Sequence, residues 1–430
     1  MRLPSRGALA CAFAAALALP ATSFATNGMF VIGYGAKARG MGGVSIAFPQ
    51  DSLASAINPA TLTAVGTRAD ASLDIFTPKA SACLGLGTPK EICEKSKADL
   101  FGMPAMGMAM QFTRNLSFGM TMVGAGGGGS RYNTNLYNSI TGSNVNQTLG
   151  VSLMIAQMNP TVAMKLTPHQ SVGASLVIGV QQFRAFGLGY FSNFTSTGLL
   201  TDKLTNNGNN YSWGAGLRVG WLGQFLDNRL SLGAEAQSKV YMTRFKEYTD
   251  LFAEKGSFDT PANFGVGIAF KVTPDVTVGL DVTRTLYSGV RSVSNPGPNT
   301  SGSPFPVSQA VNALGKEAGL GFGWNNQTVY KAGIAYRYNS KWTFRGGYDY
   351  GKSPIPEDNG AILFNIVAPA TVQSHGTVGF TYSPSRNIEL TMSYIHAFTH
   401  RQYGPTFIGG STGSFEMMQN SVGMQFSFKM

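Results

Sequence analysis

The 430-residue chain is only 12% charged, carries a net charge of +11 and holds 54 glycines, 28 phenylalanines and 18 methionines. Soluble domains average about 25% charged residues, which disfavours a water-soluble enzyme, and the 11% aromatic content excludes a disordered chain. After the first two dozen positions every apolar run is soon broken by Gly, Ser, Thr or Asn; membrane helices, which need about 20 apolar residues in succession, are excluded, and strands that alternate apolar with small polar residues are indicated.

The chain opens with Arg2 and Arg6, an apolar stretch from Gly7 to Leu19, Pro20, and Ser23-Phe24-Ala25. Basic, apolar and then small is the order of an export signal, so residues 1–25 are expected to be a leader cleaved after Ala25. The apolar stretch is too short for a spanning anchor. Loss of the leader leaves 30 basic and 21 acidic side chains. That excess is spread without a basic run, and no nucleic-acid partner is expected.

Residues 26–68 neither alternate nor carry a turn rhythm, and are read as a separate element placed inside the repeating remainder of the chain. From 69 to 430 one unit repeats: an alternating segment, a very short polar turn, another alternating segment, a longer loop. Short turns fall at Thr113-Arg114-Asn115, Thr167 to Gln170, Leu226 to Arg229, Thr273-Pro274-Asp275, Asn339-Ser340-Lys341 and Ser383 to Asn387. Seven longer stretches rich in Gly, Asn, Ser and Pro lie around 79–101, 125–149, 185–210, 242–261, 290–325, 353–371 and 402–414. Six turns and seven loops predict an all-β, 14-stranded antiparallel transmembrane barrel of the bacterial outer membrane, with its turns periplasmic and its loops extracellular. β-Sandwich domains would alternate too, but would not show this asymmetry between ends.

Cys83 and Cys93, ten positions apart, are the two cysteines of the mature chain. In an oxidising compartment they are expected to form a disulfide closing a loop. Side chains switch faces at each strand residue, so Phe264, Val266, Ile268 and Phe270 are expected to meet lipid, with Gly265, Gly267, Ala269 and Lys271 facing the lumen. The same split sets Trp213, Leu217, Val219 and Trp221 against Gly214, Gly216, Arg218 and Gly220, and Met106, Met108 and Met110 against Ala105, Gly107 and Ala109. Glycine on the inner face is read as open volume in the lumen.

The run Asn27-Gly28-Met29-Phe30, the stretch Gly33 to Gly43, Asp51 and Asn58-Pro59-Ala60-Thr61-Leu62 resemble the hatch of the FadL/TodX (outer membrane protein P1) family. Asn159 to Ala163, Trp213-Gly214, Pro261-Ala262, Trp342 to Tyr348 and Ser353 to Pro356 extend the resemblance over nearly the whole mature chain. It implies a monomeric barrel with an N-terminal hatch, carrying long-chain fatty acids or similar hydrophobic molecules inward by passive diffusion. Aromatic or other hydrocarbons are the alternative cargo, and a structural or adhesin barrel is a further alternative. It also implies capture by extracellular loops, a lumen pocket, a hatch rearrangement, and lateral exit into the outer-membrane lipid near the third strand, Leu116 to Gly124. Asn27, Gly28, Asn58, Pro59 and Ala60 are then the hatch and gate residues, with Asn58-Pro59-Ala60 beside that strand.

Catalysis finds little support. His396 and His400 have helical metal-site spacing, but lie at a strand end with no Glu between them, and are read as rim polarity. No cofactor and no metal are expected. The loop with Phe186, Leu188, Tyr190, Phe191, Phe194, Leu199 and Leu200 is rich in large apolar groups, which suits either ligand docking or packing on its own side chains. By parity the inward cations are Lys165, Arg218, Lys239, Lys331, Arg337 and Arg345. Arg218 and Lys331 are candidate carboxylate partners, although symmetric turns would set Arg218 opposite Glu235 and Lys331 opposite Asp349, where opposite charges neutralise one another. Arg337 and Arg345, near the periplasmic turn, are better placed to hold the hatch.

Overall fold

The computed structural model describes residues 27–141, 147–297, 312–357, 361–406 and 411–430; the leader expected over 1–25 lies outside them. Among these residues fourteen antiparallel strands close a barrel. The first seven are β1 (Arg68–Leu86), β2 (Phe101–Gln111), β3 (Leu116–Tyr132), β4 (Leu149–Thr167), β5 (Gln170–Phe186), β6 (Asn210–Phe225) and β7 (Leu230–Gln237). The rest are β8 (Asn263–Lys271), β9 (Val276–Thr285), β10 (Gln327–Arg337), β11 (Trp342–Gly351), β12 (Ser374–Tyr382), β13 (Ile388–Pro405) and β14 (Thr412–Lys429). Each strand pairs with the next, and β14 returns to β1, with Arg68 opposite Lys429 at one end and Leu86 opposite Thr412 at the other. Short segments Ile92–Lys95 and Tyr241–Met242 fold back on β1 and β6.

Short turns follow the even-numbered strands up to β12 and longer loops follow the odd-numbered ones. Strands β1, β3, β4, β5, β13 and β14 are 17–19 residues long, beyond the 9–11 or so that a tilted strand needs to cross a bilayer. They carry the wall outward past the membrane on one side. On the opposite side β7 and β8 have only 8 and 9 residues.

The alternation divides as pleating requires. Met106, Met108, Met110, Leu217, Val219, Phe264, Val266 and Ile268 point outward, while Ala105, Ala109, Arg218 and Ala269 are buried within. The lumen is occupied. Residues 27–67 run through it, with a short helix α1 (Gly35–Arg39) and 3-10 turns at Ser52–Ala56 and Pro59–Ala64.

Charged wall residues hold this hatch. Arg39 Nε lies 2.8 Å from Asp74 Oδ1 and Lys37 Nζ 2.6 Å from Glu389 Oε2. Asp281 accepts from the Ser45 and Ile46 amides at 2.7 and 2.9 Å, and Arg345 donates to Gln50 at 2.7 Å. Burial depresses the Lys37 ammonium and raises the Asp51 carboxyl, with Arg68 adding to the first and Asp70 to the second. A carboxylate on the wall meeting backbone N–H groups of the hatch satisfies both where water is excluded.

The inner glycines therefore do not leave open volume. A Cβ on Gly173 would stand 2.5 Å from the Pro59 carbonyl carbon, one on Gly233 2.5 Å from Ile46 O, and one on Gly347 2.3 Å from Gly42 N. These three are seats for the hatch backbone, while Gly214 and Gly216 seat the 239–242 segment that folds back on β6.

Candidate functional site

The loop-side half of β3 loses its β2 neighbour. β2 and β3 pair only from Gln111 opposite Ser117 to Ala105 opposite Val123, and then separate. Beyond Val123, β3 stays paired to β4 with a bulge between Gly124 and Gly126, a device that bends a strand and breaks its pairing on one side. The edge of β3 left free by β2 is taken by the start of the hatch. Phe30 forms an antiparallel bridge with Gly126, and Gly127 N donates to Met29 O at 2.9 Å. A side chain on Gly126 is excluded, because its Cβ would lie 2.0 Å from Met29 O.

Asn27 to Phe30 close a tight turn, with Asn27 N donating to Phe30 O at 2.9 Å and Phe30 N to Asn27 O at 3.1 Å. Tyr287 holds it from the loop after β9. Its hydroxyl accepts from Met29 N at 3.2 Å and donates to Asn27 O at 3.3 Å. Burial pushes the Tyr287 phenol up, so it stays neutral and keeps the proton it donates. Asn27 Nδ2 donates to Asp349 Oδ2 at 3.0 Å, and Asp349 Oδ1 in turn meets His375 Nδ1 at 2.8 Å. Gly28 has φ +60°, and a Cβ there would stand 2.1 Å from the Tyr287 hydroxyl.

This turn separates two cavities. Above it lies an apolar one of about 50 Å³, whose walls include Gly127 to Gly129 of β3, Val151 and Leu153 of β4, Phe183 of β5, and Phe252, Phe258, Phe322 and Trp324 from the loops. Gly28 and Met29 face it, and among the described residues no charged one lines it. Below lies a polar cavity of about 70 Å³, faced by Asn27 and Phe30 and by Tyr34, Arg218, Glu235, Asp281 and Lys331. Neighbouring residues of one turn thus line two chemically different spaces.

The structure brings the two candidate carboxylate partners, Arg218 and Lys331, to the polar cavity, together with two acids. Lys331 is opposite Asp349 in register, yet its ammonium donates to Ile32 O of the hatch at 2.7 Å. Arg218 faces Gln237, not Glu235, and its guanidinium donates to the Gln237 side chain. The β6–β7 turn is wider than a symmetric turn over 225–228, since Leu226, Asp227 and Asn228 all take positive φ. The pairing shifts by two residues accordingly. Arg345 touches the hatch, whereas Arg337 pairs with Asp275 at 2.9 Å on the exposed turn.

Asn58, Pro59 and Ala60 do not sit beside the β3 departure. Asn58 Nδ2 donates to Ile46 O and, in β6, to Trp221 O at 2.8 and 2.9 Å, and its Oδ1 accepts from Ala60 N at 3.0 Å. Pro59 and Ala60 lie on Gly173 of β5. The hatch residues on the β3 kink are those around Asn27 to Val31.

Most of the expected docking loop is packed. Leu188, Phe191 and Phe194 are buried, Phe191 stacks on Phe364 at 4.4 Å, and Tyr190 stacks on Tyr137 at 5.3 Å. Leu199 and Leu200, 69% and 62% exposed, point away, and Phe186 lines a groove on the outer wall. Cys83 and Cys93 face each other across paired strands and are joined by a disulfide. His396 bonds Asn420, and His400 bonds Thr371 and Gln373.

The cavity residues Phe252, Phe258, Phe322 and Trp324 are not singled out by the sequence. Their signal is the same as that of the 186–204 loop, large apolar groups in extracellular connections, but it spreads over two loops and converges only in the fold.

Over residues 10–404 the chain matches the family described as outer membrane protein transport protein (OMPP1/FadL/TodX). Its fold is similar to that of the toluene transporter TodX of P. putida, at TM-score 0.67 and 19% identity over 93% of this chain and 99% of that one. A Pseudomonas aeruginosa FadL homologue aligns at TM-score 0.68 and 14% identity, over 94% and 99%. The Ralstonia pickettii toluene transporter TbuX aligns at TM-score 0.64 and 19% identity, over 93% and 98%. No curated protein sequence matches the chain.

Proposed function

Because the chain belongs to the OMPP1/FadL/TodX family of outer-membrane transport proteins, and so takes up hydrophobic compounds across the outer membrane, we propose that its cargo is a small uncharged hydrophobic molecule of the monoaromatic class. The observation that carries this is the lining of the apolar cavity: aromatic and aliphatic side chains with glycine backbone, and no charge among the described residues. The space is about 50 Å³, less than the roughly 150 Å³ of a cavity that binds benzene, so cargo enters by pushing its wall back, and a single ring demands less displacement than an extended acyl chain. Two of the similar structures are named as toluene transporters, in keeping with that reading. A long-chain fatty acid would bring a carboxylate, and the cations Arg218 and Lys331 lie across the hatch turn with acids beside them.

The route follows from the same turn. Cargo passes the loop cap, fills the apolar cavity and pushes Gly28 and Met29 off the edge of β3. Loss of that bridge frees the glycine segment Gly126 to Gly129 to move, and opens a way sideways between β2 and β3, where wall pairing already ends. Lateral release delivers an apolar solute to lipid without crossing a polar lumen, which is the direction that the hydrophobic effect favours.

The test is direct binding to the purified barrel, read by Trp324 fluorescence with Trp324→Phe as the blank. Toluene should bind at least tenfold more tightly than hexadecanoate. Tighter binding of hexadecanoate would overturn the cargo assignment.

A further inference from the structure

A second concave site opens on the outside of the barrel, beside the gap between β2 and β3, and shares Val151 with the apolar cavity. An open groove of about 740 Å³ runs from the start of β2 over β3, β4 and β5 where they rise above the membrane. Lys97, Arg131 and Arg184 line it, with Asp99 as the acid and with Leu100 and Phe186 as its apolar part. Elsewhere on the wall, Arg68, Arg337, Arg401 and Lys429 are each held by a carboxylate, Arg68 by Asp70 at 2.8 Å. None of these three makes an ion pair or a side-chain hydrogen bond with another described residue; Arg184 only lays its guanidinium over the Phe186 ring at 5.6 Å.

The height of the groove is fixed by the sheet. The outward residues of β5 run Leu176, Ile178 and Val180, and then change to Gln182 and Arg184. Across the pairing, Val180 faces Trp213 and Gln182 faces Tyr211, exposed aromatics of the kind that mark a membrane interface. The three cations therefore stand just above the apolar band at the long-loop, extracellular end, at the level of lipid head groups.

We propose that this groove binds lipid A, the phosphorylated glycolipid of the outer leaflet. Two guanidiniums and an ammonium without ion-pair partners among the described residues suit phosphate, which arginine receives through paired N–H donors. The aromatic ring beneath Arg184 orients its planar group. Leu100, 67% exposed, lies where acyl chains begin. Such a lipid would brace the tall side of the barrel next to β3, the strand that the hatch engages.

The test compares binding of fluorescent bis-phosphorylated lipid A to the detergent-purified protein and to an Arg131→Gln/Arg184→Gln variant, with heat-dependent gel mobility confirming the fold. The variant should bind at least tenfold more weakly, as should dephosphorylated lipid A to the wild type, while Arg114→Gln at the periplasmic end leaves binding unchanged. If the double variant does not fold, the single variants Arg184→Gln and Lys97→Gln carry the comparison. Equal binding by wild type and variant overturns the proposal. So does equal competition by inorganic phosphate or by phosphatidylglycerol.

Discussion

Gly220 in β6 has no side chain because Asn58 stands where one would be: a Cβ on Gly220 would lie 2.0 Å from Asn58 Oδ1. The hatch is seated against a wall whose glycines are shaped to it. Asn58→Ala would strand the Ile46 and Trp221 carbonyls and the Ala60 amide, each buried loss costing about 1–3 kcal/mol. The expected outcome is a barrel that still folds and keeps its heat-dependent gel mobility, with faster hydrogen exchange over residues 46–60 and more leak of small sugars in liposome swelling. Gly220→Val should produce the same pattern from the other partner.

Cargo size is set by the apolar cavity. Leu153→Trp should fill it and reduce uptake of toluene at least tenfold, with the barrel unchanged by circular dichroism. Phe252→Ala should enlarge it and shift preference toward bulkier hydrocarbons in a competition assay.

Lys331 serves the hatch. Its ammonium bonds Ile32 O, so Lys331→Met should raise hydrogen exchange around residues 30–33 without changing the ratio of neutral to anionic cargo taken up. A selective loss of fatty-acid uptake would instead assign it to carboxylate binding.

Tyr287 is the clamp on the gate turn. Tyr287→Phe removes one donor and one acceptor, about 1 kcal/mol for each bond lost, and should loosen residues 27–30 in hydrogen exchange. Burial raises the folded phenol above its usual value near 10. Below that pH the phenol is neutral in both folded and unfolded chains, so its contribution is flat. As pH climbs past about 10 the unfolded phenol ionises first and stability falls. Thermal unfolding of wild type against Tyr287→Phe between pH 6 and 11 would reveal this difference.

The barrel and its asymmetric ends are legible in the sequence because both are local properties: alternation follows from the pleat and turn length from adjacent residues. Register is not. Three residues of positive φ in the 226–229 turn move Arg218 from Glu235 to Gln237, and nothing in Leu226-Asp227-Asn228 announces that geometry. Inner glycines are identifiable by parity, but glycine is equally the signature of an empty lumen and of a backbone pressed against it. Only the path of the hatch distinguishes the two. The same holds for the hatch motif, since Asn58 and Pro59 are identifiable by type while the strand they meet is set by contacts more than a hundred residues away. The apolar loop residues Leu188 to Phe194 could dock a ligand or pack, and the stack of Phe191 on Phe364 shows packing.

The central claim is that cargo leaves by displacing the start of the hatch from β3. Val31 and Ala125 are neighbours in the antiparallel bridge centred on Phe30 and Gly126, so a Val31→Cys/Ala125→Cys pair, made in a Cys83→Ser/Cys93→Ser background, should lock the turn when oxidised. The most direct measurement is toluene uptake by cells carrying this variant, before and after reduction. The account predicts uptake close to the level without the protein when oxidised, and recovery to the background level on reduction. Full uptake through the oxidised, cross-linked barrel would contradict it.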